Sequence, residues 1–222
     1  MTPRIALLTI TALALASSVR AEQPLRPYEG DHMESLPHFT RLAPAARAID
    51  IVDFWEKAGP AKWFDKDPDF DRLFRERFLI DHEAAARGEL MHWQSTPEGT
   101  FALVILLDQF PRNAFRDTPR MYDTDAMARK VAATAFAAGY DRLTPLPLRK
   151  FLLLPFAHSE DLADQERAVA LARRIGPEDL ARAQHHRDIV RRFGRFPHRN
   201  KILRRETTSE ELAYLDNGGY RG

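Results

Sequence analysis

The sequence predicts an all-α protein. Apolar residues recur at three- and four-residue spacings through most of the chain beyond Pro44. Glycine and proline fall at the joints between those stretches, and no segment alternates strictly in the manner of a half-buried strand. Helices joined by short connections predict antiparallel hairpins stacked on one another in a single domain spanning residues 44–222.

Taken in order, residues 1–21 (MTPRIALLTITALALASSVRA) read as a secretory signal peptide. Arg4 supplies the positive start, Ile5 to Ala16 the apolar run, and Val19 and Ala21 the small residues before a cleavage site. The apolar run is about a dozen residues, short of the roughly 20 that span a bilayer, so no stable membrane insertion is expected after cleavage. Residues 22–43, with Pro24, Pro27 and Pro37, form an extended lead-in.

Pro44 opens a first helix with Ile49, Val52 and Trp55 on one stripe, stopped at Gly59-Pro60. A second runs from about Asp69 to Gly88, with Phe70, Leu73, Phe74, Arg77 and Phe78 inward. Ser95-Thr96-Pro97-Glu98 is a capping signal for a central buried helix, FALVILLDQF, that Pro111 ends. A fourth helix spans Asp123 to Ala138 and closes at Gly139. Leu148–Leu154 stops at Pro155, Ser159 caps a helix over 160–174, and Gly176-Pro177 precedes another over 178–193 that closes at Gly194. Ser209–Leu215 is the last.

Composition excludes several classes of function. There is no cysteine, hence no thiolate metal site, disulfide framework or cysteine nucleophile. Thirty-three Lys and Arg against 32 Asp and Glu give a net charge of +1, so no bulk basic field points to nucleic acid. Without the leader's two arginines the charge becomes −1. Nucleophile-elbow, Walker, dinucleotide-binding and H-E-x-x-H patterns are missing.

Three segments carry polar residues that solvation does not explain. In LLDQFPRN, Asp108 continues the inward stripe of Phe101, Val104 and Ile105, and an inward acid needs a partner; Arg112, four residues on, is the first choice. Gln109, Arg112 and Asn113 are candidate ligand contacts. In HSED, His158 falls at helical spacing from Asp161, an imidazole beside a carboxylate that would orient it, with Ser159 and Glu160 between them. In HRDIVRRFGRFPHRN, His186 joins the apolar face of Ile189, Val190 and Phe193, and Pro197 presents His198, Arg199 and Asn200 after Arg195. From Arg187 to Arg205 eight Lys or Arg face one acid, Asp188, and guanidiniums among aromatic residues suit bidentate anion binding.

These segments in this order, followed by RRETTSEEL, resemble the bacterial family called domain of unknown function 924 from about Ala48 to Leu215. The resemblance implies an all-helical fold similar to tetratricopeptide-type hairpins and a soluble protein, with catalytic residues, substrate and cofactor left open. The family pattern has glycine where this chain has Arg204, which implies a departure at that turn. The leader is a second departure, and implies a periplasmic or secreted protein.

Three functions fit these residues. An enzyme acting on a small anionic molecule would use His158 and His198 for proton transfer, Asp108 and Asp161 to orient them, and Arg112, Arg195 and Arg199 for the anion. Glu160, His186 and Asn200 would complete its walls. A metal variant would use His158, Asp161 and His198. A non-catalytic helical module would bind a peptide or metabolite, and a purely structural network would lock helices together. No cofactor and no oligomeric state is implied.

Overall fold

The structure, a computed structural model, describes residues 45–222. The leader, the lead-in and Pro44 lie outside the described residues. Among the described residues every regular element is helical. No helix among the described residues is long and apolar enough to cross a membrane.

Helix α1 (Ala46–Ala58) buries Ala48, Ile51 and Trp55, so that of the stripe read from sequence only Trp55 is fully inside. Ile49 is exposed, because the true inward face is turned by one residue and small Ala48 opens it. After the short α2 (Pro60–Trp63), Asp67 caps α3 (Pro68–Ala86) by accepting from the amides of Asp69 and Phe70. Phe70, Phe74, Phe78, His82 and Ala85 point inward from α3, whereas Leu73 is half exposed. Trp55, Phe74, Phe110 and Phe151 interlock, with Trp55–Phe74 centroids 5.4 Å apart and Trp55–Phe151 centroids 5.3 Å apart in edge contact.

Helix α4 (Pro97–Val104) is the hub. Thr96 caps it by accepting from the Gly99 amide, and Pro97 occupies the first turn. Every residue from Gly99 to Val104 is buried, as α1, α6 (Asp125–Ala137) and α7 (Leu146–Ala157) all pack on it. Gly99 is required there, because a Cβ would press into the Trp93 carbonyl.

Two proline stops expected from sequence are absent. Residues Ile105–Gln109 form a π turn in which the Phe110 amide donates to Ile105 O, and the rod continues through Pro111 as α5 (Phe110–Ala114). A π turn widens the ring and absorbs a proline that has no amide hydrogen to give. The carbonyls it leaves receive side-chain donors: His82 Nδ1 on Leu106 O at 2.8 Å, Thr124 Oγ1 on Leu107 O at 2.6 Å, and Arg112 on Asp108 O at 2.8 Å. Likewise α7 runs through Pro155 to Ala157.

The C-terminal half stacks consecutively: α8 (Leu162–Ala172) packs on both α7 and α9 (Pro177–Phe193), with short connections. Asp161, not Ser159, caps α8, accepting from the amides of Ala163 and Asp164. Gly194 closes α9 at φ 69°, as its place after Phe193 implied. A second small core of Ile189, Val190 and Phe196 is covered by Phe193, Tyr214 and Tyr220. Helix α10 (Ser209–Asp216) begins with a capping box of Thr208 and Glu211. Arg204 sits at φ 55°, in the left-handed region.

Candidate functional site

Asp108 sits in the π turn with no exposed surface. Its Oδ1 lies 2.8 Å from His158 Nδ1 and 3.2 Å from an Arg112 nitrogen, and its Oδ2 accepts from Gln109 at 2.6 Å. Arg112 turns its other edge to Asp125, with contacts of 2.8 and 3.0 Å. Asp108 thus has the expected partner, and Arg112 is shared between two acids. Burial would raise the Asp108 carboxyl. The Arg112 charge, with hydrogen bonds from His158 and Gln109, outweighs it and holds the group down at about 2.

His158 caps the C-terminus of α7 rather than lying on α8. Its carboxylate partner is therefore Asp108, fifty residues away, and not Asp161, whose carboxylate is engaged with α8 amides. Burial first, then the Arg112 charge, holds the imidazole below its ordinary range, so it is neutral near pH 7. A carboxylate accepting at Nδ1 places the proton there and leaves the Nε2 lone pair available. Nε2 makes no hydrogen bond to any described residue, and His158 lines a cavity of about 430 Å³ between α7 and α9.

His186 and Tyr220 line the same cavity, with ring centroids 4.9 Å apart. His198 lies behind them, 5.1 Å from Tyr220 and 5.7 Å from Phe196. The Nδ1 atoms of His186 and His198 are buried without hydrogen-bond partners, and burial pushes both imidazoles down to about 3. Arg199 is 7% exposed and has no ion pair with any described carboxylate. Its guanidinium lies between the rings of Tyr122 and Phe196, 4.6 Å from each centroid, and its Nε is buried without a partner. Burial and the neighbouring Arg112 lower its pKa.

The remaining sequence candidates hold the fold. Arg195 forms a bidentate pair with Glu211 at 2.6 and 2.8 Å, which takes it out of anion binding. Asn200 donates to the same Glu211 at 3.2 Å. Glu160 grips Arg205 at 2.6 and 3.0 Å and accepts from the Phe196 amide, fixing the loop after α9. Asn113 donates to Asp71 at 2.7 Å, tying α5 to α3, and Ser159 accepts from the Asp161 amide. His158, Asp161 and His198 do not gather as a metal triad, and no group of three metal-ligating side chains exists among the described residues.

Residues that sequence reasoning missed include Asp125, Tyr122, Tyr220, Lys150 and Arg182. Lys150 and Arg182 line the same cavity as His158, alongside Phe64. A signal existed: Lys150, Leu154 and His158 follow helical spacing once α7 is carried through Pro155. Nothing local announces Tyr220.

The chain matches, over residues 51–219, the family described as bacterial protein of unknown function (DUF924). No curated protein matches it. Among solved structures it is similar to a protein of unknown function from Agrobacterium tumefaciens, with 56% identity and a TM-score of 0.77 over 78% of this chain and 98% of that one. An identity of that size carries the likeness beyond fold to sequence, and with the family match over most of the chain it places this protein in the DUF924 family.

Proposed function

We propose that the protein is an enzyme acting on a small anionic molecule, with His158 as the proton-transfer group. The observation that carries the reading is the Asp108–His158 pair, whose Nε2 is left free on a residue lining a cavity. His158 Nε2 takes a proton from the bound molecule, Asp108 stabilises the imidazolium so formed, and the proton is later returned. Arg112, paired with Asp125, positions Asp108 and does not touch the ligand. Arg199 does not itself line the cavity but shares the Phe196 ring with His186, which does, and it is the anion contact of this reading: a buried cation facing only ring faces gains most from a carboxylate or phosphate. His186 and Tyr220 form the wall.

Calorimetric titration of inorganic phosphate and succinate tests the anion contact. Millimolar or tighter binding in the wild type that disappears in Arg199→Ala supports it. No binding in either, with Arg199→Ala strongly destabilised, assigns Arg199 to the fold and overturns the reading. The N-terminal segment adds a proposal of export, for which the periplasmic protein begins at Glu22; recovery with Met1 in place refutes that part.

A further inference from the structure

The cavity has two chemically different ends. Helix α7 lines it with Lys150, Leu154 and His158, and α9 lines it with Asp179, Arg182 and His186, each set at helical spacing. Because α7 and α9 are separated by one intervening helix with short connections, they run in the same direction. Lys150 and Arg182 both lie over the Phe64 ring, and on α9 His186 follows Arg182 by four residues, about 6 Å. At the helical rise, Lys150 and His158 are about 12 Å apart along α7.

Between these ends the wall is apolar: Leu153, Leu154, Ala157 and Ala183. At the far end Lys150 and Arg182 gather over the ring of half-exposed Phe64, at 6.0 and 5.6 Å from its centroid. Neither forms an ion pair with any described residue. Asp179 lines this end as well and leaves it with one net positive charge. The result is a groove with cations at its mouth, an apolar middle and the histidines at its inner end.

We infer that the ligand is a linear dianion: one anionic end meets Lys150 and Arg182, an unbranched apolar chain lies along Leu153 and Leu154, and the second anionic end reaches His158 and Arg199. The inference rests on the reading of His158 and Arg199 given above and adds the length and the second charge of the molecule. A cavity of about 430 Å³ is of the size that holds one such small molecule. An α,ω-dicarboxylate is the simplest chemistry that matches the groove.

The test is calorimetry with succinate, adipate, suberate and sebacate, each beside its monocarboxylate of equal length. Three variants accompany the wild type: Arg199→Ala, His158→Gln and the double variant Lys150→Ala/Arg182→Ala. The double variant alters only the cavity mouth, and its melting temperature verifies that it folds. The expected result is affinity that climbs from succinate to an optimum at suberate or sebacate. The matched monocarboxylate then binds about fivefold more weakly, and the double variant removes that difference. Affinity that is flat with length, equal for mono- and dicarboxylates, or unchanged in the double variant overturns the inference. Phosphate and succinate binding that needs Arg199 but shows no length optimum sinks the dianion and leaves the reading of the inner end intact. Long dicarboxylates that need Lys150 and Arg182 but ignore Arg199→Ala and His158→Gln sink the reading of the inner end instead.

Discussion

Asp108 and His158 meet at 2.8 Å although fifty residues separate them, one in a π turn of the buried central rod and the other at the end of α7. Each partner sits near a proline carried inside a helix. Pro111 is absorbed by the π turn that holds Asp108, and Pro155 is passed by α7 before it delivers His158.

Replacing Asp108 with Asn removes the charge that faces His158 and Arg112. Arg112 retains Asp125, so the loss is partial and the expected destabilisation is about 2 kcal/mol. Denaturant unfolding measures it. A midpoint equal to that of the wild type would show that the buried carboxylate contributes nothing.

His158 is expected to be neutral at pH 7 with its proton on Nδ1, because burial disfavours the imidazolium and Asp108 accepts at that nitrogen. Nitrogen-15 NMR of labelled imidazoles distinguishes the two tautomers. A dominant Nε2–H form, or titration above 6.5, contradicts the arrangement.

His186 and His198 are depressed from 6.5 to about 3 by burial. Above pH 6.5 both states are uncharged and contribute no pH dependence. Below it the unfolded chain binds protons that the folded chain refuses, so stability falls as pH drops from 6.5 towards about 3. The double variant His186→Phe/His198→Phe flattens that slope in melts recorded across the window. An unchanged slope would place the acid sensitivity elsewhere.

Arg204 occupies a left-handed backbone conformation at φ 55°. A non-glycine residue there costs roughly 1–2 kcal/mol, and glycine loses part of that gain through its larger unfolded-state entropy. Arg204→Gly is therefore expected to stabilise by about 0.5 kcal/mol. Thermal unfolding tests it, and a lower melting temperature would mean that the arginine side chain has a role in the folded state.

Much of the fold was legible because it depends on local chemistry. Thr96-Pro97 starts α4, Gly194 closes α9, and the Phe70, Phe74 and Phe78 spacing turns α3 inward. Where the reading went astray the cause was also local. Local rules make proline a stop at 111 and 155, and helical spacing gives Ile49 and Leu73 inward faces, but the helices run through both prolines and both side chains are exposed. His158 was matched with the nearest acid in sequence, Asp161, whereas that acid serves the α8 amides.

By itself the sequence determined the helical class, most helix starts and ends, and the group of residues from which a site could be drawn. These follow from periodicity, capping and backbone freedom, which act over a few residues. Only the tertiary structure decided which polar residues are spent on one another and which remain free. Arg195 goes to Glu211 and Arg112 to Asp108 and Asp125, while Arg199 meets only aromatic faces. Charge pairing depends on distances between helices far apart in the chain, and those distances are set by the burial of the aromatic core around α4.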